Sequence, residues 1–213
     1  MRRLAVLALV AGCQLFGGGE RGSGTPKTEQ RTVAAFSKLQ VDGAMHADVT
    51  VGPGQVVELA GDDNIVPLIA TDVGGDELRV GPKRSVSPKL DLTARIVTPK
   101  LAAVGVSGSV DTVVRGISSA AFAIRTSGSG RVAASGAAKR VEIHVSGSSS
   151  IAAFDLRAED VSVDISGSAD VDVYATGVLD VHVSGSARVR YAGTPREIHK
   201  DISGSGTVEA HAP

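Results

Sequence analysis

Apolar and polar residues alternate through the second half of the chain, and the alternation is interrupted by the same tripeptide each time. Ser-Gly-Ser begins at Ser107, Ser127, Ser146, Ser166, Ser184 and Ser203, so successive copies lie 20, 19, 20, 18 and 19 residues apart. Just before each copy stand Val106, Thr126, Val145, Ile165, Val183 and Ile202. Three residues before it stand Val104, Ile124, Ile143, Val163 and Val181, and then Lys200 breaks the row. Past the tripeptide, one row holds Thr112, Val132, Ile151, Val171, Val189 and Val208, and the next Val114, Ala134, Ala153, Val173, Tyr191 and Ala210. Period two on both sides predicts two strands per repeat, each with one buried face. A hairpin meander has no reason to keep one residue type at one phase in every unit, whereas a coil that closes after ~19 residues does. The pattern therefore predicts an all-β fold, a parallel β-helix whose coils stack ~4.8 Å apart. Parallel crossovers are overwhelmingly right-handed, so the helix is expected to be right-handed.

The tripeptide then falls at a corner. Gly108, Gly128, Gly147, Gly167, Gly185 and Gly204 are expected to adopt backbone angles that a Cβ would forbid. The serines beside them are small enough to stack, and their hydroxyls are expected to bond the turn backbone or one another along the ladder. A flexible Gly/Ser linker is the alternative, but linkers do not carry Val and Ile in fixed phase.

Outward rows pair by charge once the copies are aligned. Asp111 falls beside Arg131, Asp170 beside Arg188 and Asp172 beside Arg190 on neighbouring coils. Opposite charges facing each other contribute a few tenths to ~1 kcal/mol, and like charges would cost as much. A second outward row holds Gly105, Arg125, His144, Asp164, His182 and Asp201. His144, Asp164, His182 and Asp201 are candidate ligands for a divalent metal, since imidazole and carboxylate suit such ions. A straight ladder makes a poor tetrahedron, so a surface row of paired groups is the preferred reading.

The front half is less regular. Lys38 to Val51 reads as strand, Gly43 corner, strand, with Val41-Asp42-Gly43-Ala44 echoing the later corners. Gln55 to Ala60, Glu77 to Val80 and Leu90 to Val97 are further strands, and Asp62 to Ala70 has room for a helical turn limited by Pro67. Residues 36–100 are expected to form atypical first coils or a strand-rich cap, and 101–213 the repeat coils. Such a cap shields the unpaired backbone of a coil end.

Before this domain come Arg2 and Arg3, an eight-residue apolar run from Leu4 to Ala11, and then Gly12 and Cys13. The run is too short for a bilayer, which takes ~20 residues. Leu9-Val10-Ala11-Gly12-Cys13 resembles a bacterial lipoprotein signal with its lipobox, which implies removal of residues 1–12 and acylation of Cys13. The expected location is the cell envelope, anchored by lipid, with an outer membrane compatible with Gln14 after the cysteine. Residues 13–35 would then be the acylated cysteine and a flexible tether. Gly17, Gly19 and Gly22 match G-x-G-x-x-G, but no strand precedes them and no helix follows to hold a phosphate.

Composition narrows the function. The 213 residues carry a net charge of −1, which argues against nucleic-acid binding. The apolar residues are mostly Val, Ala, Ile and Leu, with no Trp, 2 Tyr and 4 Phe, which suits a thin stack of strands. A single cysteine excludes an intrachain disulfide. No nucleophile elbow, H-E-x-x-H or P-loop is present, and no motif requires a cofactor.

Phe36-Ser37-Lys38-Leu39-Gln40-Val41-Asp42-Gly43, the repeated Val/Ile-Ser-Gly-Ser corners and the ending Ile202 to Val208 together resemble the putative auto-transporter adhesin, head GIN domain family. The resemblance covers roughly 36–210. It implies a β-helix in a secreted or surface lipoprotein and transfers no catalytic residue. The chain is thus expected to be an adhesin-like binding or structural module, held to the membrane through Cys13, with a cell-surface or cell-wall polymer as its partner. The alternative is a β-helical enzyme acting on acidic polysaccharide, for which Asp170, Asp172, Arg188 and Arg190 imitate a cluster. Those four pair with one another, and the turns are too short to build a cleft.

Overall fold

Residues 19–211 are described in the computed structural model, so the leader and Cys13 lie outside the described residues. The dominant feature is a run of parallel strands stacked in register. They are β3 (Lys38–Val51), β9 (Ala103–Gly128), β10 (Arg131–Ala175), β11 (Val178–Ala192) and β12 (Glu197–Ala210). β3 pairs with β9, β9 with β10, β10 with β11 and β11 with β12, all parallel. The register joins like to like: Ser127 to Ser146, Ser166 to Ser184, Ser184 to Ser203. Gly43 lies opposite Gly108, so the echo at 41–44 is a true corner of the same stack.

Glycine lets these strands bend without leaving the ladder. Gly43, Gly108, Gly128, Gly147, Gly167, Gly185 and Gly204 all have φ between 94° and 133°. Each lies on the one before: a Cβ on Gly128 would sit 2.7 Å from the carbonyl oxygen of Gly108, and one on Gly147 would sit 2.5 Å from that of Gly128. The bend is therefore closed to every residue with a side chain. Pro82 ends the line, its ring packed 3.0 Å from where a Gly43 Cβ would be.

Inside the bend, alternate residues make the core. Val104, Ile124, Ile143, Val163 and Val181 are buried, as are Val132, Ile151, Val171 and Val189. Each contributes about 1.5–3 kcal/mol by leaving water. Among the described residues Phe122 and Phe36 are the buried rings, and Tyr191 packs partly against the same core.

The front end is built differently. β6 (Glu77–Pro82) and β8 (Thr93–Thr98) each pair in parallel with one arm of β3. β5 (Ile69–Gly74) adds to β6, and β4 (Val56–Asp62) adds to β8, both antiparallel. A 3-10 turn over Val66–Leu68 fills the stretch where Pro67 permits little more.

One expectation is corrected here. Part of the stretch assigned to a flexible tether is docked. β2 (Pro26–Gln30) pairs antiparallel with β4, and β1 (Glu20–Arg21) pairs with β7 (Val86–Ser87). The anchor between these strands is Asp62, fully buried. Its carboxylate accepts the amide N–H groups of Gly24 at 2.6 Å, Lys89 at 2.9 Å and Leu90 at 3.1 Å. Burial works to raise its pKa, but the amide donors of Leu90, Gly24 and Lys89 outweigh it and hold the group below the ordinary carboxylate value. Ser23 adds its hydroxyl to Asp63, and Asn64 bonds the backbone at Ser23 and Arg21. Gly22 is needed because a side chain there would meet Asp62 and the Lys89 amide. It is a packing glycine, not part of a phosphate loop.

Two outcomes follow from these contacts. Gly147→Ala is expected to cost at least about 2 kcal/mol, from strain at positive φ plus the clash with Gly128, whereas exposed Ser148→Ala stays within about 0.5 kcal/mol; urea unfolding measures both. Asp62 is stabilising while ionised, because its folded pKa is depressed. That contribution is complete above the ordinary value of about 4 and is lost as pH falls through the lower folded value. Thermal melts in this acid window are expected to fall less steeply for Asp62→Asn than for the parent. The same substitution is expected to expose Lys27 and Arg31 to trypsin at neutral pH.

Candidate functional site

Each Ser-Gly-Ser corner turns its two serines to opposite flanks of the glycine line. The first serines, such as Ser146, Ser166 and Ser184, line one groove of about 560 Å³. The second serines, such as Ser148, Ser168 and Ser186, line another of about 640 Å³. Both grooves run across the strands, so each coil supplies one hydroxyl to each, at the strand spacing of ~4.8 Å.

The wall opposite the first serines is the outward row of Arg125, His144, Asp164, His182 and Asp201, closed at the front by Gln40. Alternation along the strand turns these residues out while Val106, Val145, Ile165 and Val183, next to them, turn in and form an apolar floor. His144 Nδ1 lies 3.3 Å from Asp164 Oδ2, and His182 Nδ1 lies 3.8 Å from Asp201 Oδ2. Asp164 and His182 are register partners. The four candidate metal ligands are thus brought into one line as two pairs. Among the described residues no three such side chains gather around one point.

Gln40 was not legible as part of this wall. Its side chain fills the space left by Gly105, where a Cβ would collide with the Gln40 amide oxygen. Its Nε2 donates to Asp42 at 2.7 Å. The signal in the sequence was the glycine in a row otherwise made of charged residues. Thr126, also at the groove, is buried, and its hydroxyl has no partner among the described residues.

The corner serines depart from expectation. In the repeat region, Ser119 donates its hydroxyl to the Ala121 carbonyl and Ser135 to that of Val114. Among the described residues the Ser-Gly-Ser hydroxyls have no such partner. The backbone amides they were expected to bond are already used by the parallel ladder, for example Ser129 N–H to Gly108 at 2.8 Å and Ser150 N–H to Gly130 at 3.1 Å. The hydroxyls are therefore left facing outward.

The second groove carries the predicted charge pairs. Asp111 and Arg131 approach to 3.6 Å, and Asp170 and Arg188 to 3.8 Å. Further along the arm Arg190 grips Asp172 with two bonds, at 2.7 and 2.8 Å, and Asp172 is only 16% exposed. The fork geometry and partial burial make this pair the strong one, and the two single-contact exposed pairs contribute little. All four residues of the imagined polysaccharide-cleaving cluster are tied to a partner. Two further pairs, His46 with Asp111 and Arg115 with Asp48, join β3 to β9 in the same manner. At the last coil, the carboxylates of Glu197 and Asp180, each 2.7 Å from a ring nitrogen and accepting its N–H, raise the pKa of His199 above the ordinary histidine value.

Structures with this fold have been solved from several bacteria. A protein from Bacteroides fragilis described as a putative adhesin is 23% identical, with a TM-score of 0.75 over 91% of this chain and 100% of that one. A putative adhesin from Parabacteroides merdae is 18% identical, with a TM-score of 0.60 over 92% of this chain and all of that one. A protein from Parabacteroides distasonis described as a putative lipid binding protein is 22% identical, with a TM-score of 0.54 over 90% and 99%. No curated protein matches the chain. The sequence pattern of the family described as "Putative auto-transporter adhesin, head GIN domain" matches residues 35–195, the span that holds the glycine line from Gly43 to Gly185 and most of both grooves, and the chain belongs to that family.

Proposed function

We propose that the chain is an envelope-anchored, adhesin-like binding module that holds a linear cell-surface or cell-wall polymer along the groove of the first serines. In this reading it winds as a right-handed parallel β-helix of ~19-residue coils, and acylated Cys13 fixes it to the membrane. One observation carries the binding role: a ladder of outward hydroxyls, one per coil, with no partner among the described residues. A polymer laid along the stack meets the same donor and acceptor at each step. The Arg125-to-Asp201 row supplies polar contacts on one side, and the aliphatic floor receives the less polar face of the ligand. Each contact is weak, of order 0.5–1.5 kcal/mol, and repetition along the groove makes the sum useful. No catalysis is proposed, because the acidic and basic residues of the second groove neutralise each other in pairs.

The test is binding of the full chain to an array of neutral and acidic glycans and to purified cell-wall polymers. Against the best ligand found, the triple substitution Ser146→Ala, Ser166→Ala, Ser184→Ala is expected to lose at least about tenfold in affinity. The matching change of the second serines, Ser148→Ala, Ser168→Ala, Ser186→Ala, is expected to lose little. Equal affinity of the first triple variant and the parent would place the ligand elsewhere. Release of new reducing ends or unsaturated products from any bound polymer would establish an enzyme instead.

A further inference from the structure

Among the described residues one side chain, Lys200, crosses the far end of the stack. β12 is the outermost strand of the parallel run, 14 residues long and bent at Gly204. Its inner face has no coil beyond it among the described residues. Ile202 is 37% exposed, and Ile198 and Val208 are only partly covered. A bent strand with open backbone groups and apolar residues on its inner side is a template for another strand.

Lys200 stands where every earlier coil of the row has Val, Ile or Leu: its register partner is Val181, and the row runs back through Val163, Ile143, Ile124 and Val104 to Leu39. From this inward position its ammonium reaches across the open end to the other arm of the same coil and donates to the Val208 carbonyl oxygen at 2.9 Å. The side chain thus lies over the apolar cross-section with its charge held at the rim. It also occupies a carbonyl of the arm that a further strand would need.

We infer that Lys200 is a stop residue that keeps a second copy of this chain from pairing with β12. The occupant it excludes is specific. Among the described residues the other open edges of the large sheet, β2 and β5, are short, at 5 and 6 residues, and the separate β1–β7 pair has strands of 2 residues each. Only another β12 matches this edge in length and bend. Two such edges meet about a two-fold axis through the corner, antiparallel, and the contact closes on itself as a dimer without growing into a fibre. In that arrangement the two Lys200 side chains would be buried over one shared core, each without a carboxylate, which is the cost that prevents it.

The experiment uses the full chain with Cys13→Ser as common background, so that acylation plays no part. Analytical ultracentrifugation of the parent is expected to give a monomer. Lys200→Val is expected to give a dimer with an apparent Kd at least about tenfold lower than that of the parent, and Lys200→Arg is expected to remain monomeric. Adding Ile202→Lys to Lys200→Val is expected to return the monomer, because it restores an inward charge one step along the same edge. If Lys200→Val loses its cooperative melt, Lys200→Met, which keeps an unbranched chain of similar length, takes its place in each comparison. A monomer for the apolar variant over the parent's full concentration range overturns the inference. So does a parent dimer in which cysteines placed at Asp201 and Thr207 cross-link one copy to the other.

Discussion

The structure depends on one close approach: the backbone of each corner resting on the backbone of the corner before it. At Gly128 and Gly147 there is no room for a methyl group between one coil and the next, and the positive φ excludes a side chain independently. Everything else is arranged around that line. Because the corner does not interrupt the hydrogen-bond ladder, a strand such as β10 continues for 45 residues through its bends. Because the coils are held at strand spacing, like residues must sit on like residues, and only types that tolerate such stacking can occupy each row.

That constraint explains the choice of side chains on both faces. Inward positions take Val, Ile, Leu and Ala, which pack over their own copies without leaving gaps. Outward acids are set beside bases at Asp111/Arg131, Asp170/Arg188 and Asp172/Arg190, since a column of identical charges at this distance would repel. The pairing is uneven in strength. Arg190 and Asp172 form a fork on a partly buried site, while Arg188 and Asp170 touch through one long contact in solvent. Serine at the corners satisfies a third condition, small size, and with the amides already engaged its hydroxyl is left available to solvent or ligand.

Much of this could be read from the chain alone. The fixed phase of Val and Ile around Ser-Gly-Ser gave the register directly, and Asp111 with Arg131 and Asp172 with Arg190 stand on adjacent coils as the alignment placed them. Gly43 was recognisable because Val41 and Val49 kept the same phase about it. The docked segment at residues 20–30 was not recognisable. Pro26-Lys27-Thr28-Glu29-Gln30 carries no apolar alternation, since it joins the sheet at an edge through its backbone alone. What fixes it is Asp62, an acid far away in sequence whose role as a buried acceptor of amide groups has no local signature. Gln40 was hidden for a similar reason: its place at the groove depends on the missing side chain of Gly105 on the next coil.

Were Cys13 acylated as proposed, the docking of β1 and β2 would also limit how far the domain could stray from the lipid. Read as a tether, residues 14–32 could have extended for tens of ångströms. With Glu20 already bonded to Ser85, the six steps from Cys13 to Gly19 span at most about 20 Å when stretched. A lipid on Cys13 would therefore moor the front end of the stack close to the headgroups, within about the thickness of the interfacial layer and a few water shells. β2 and β12 lie at opposite ends of the strand order, so the end that such a lipid would moor is the one furthest from Lys200.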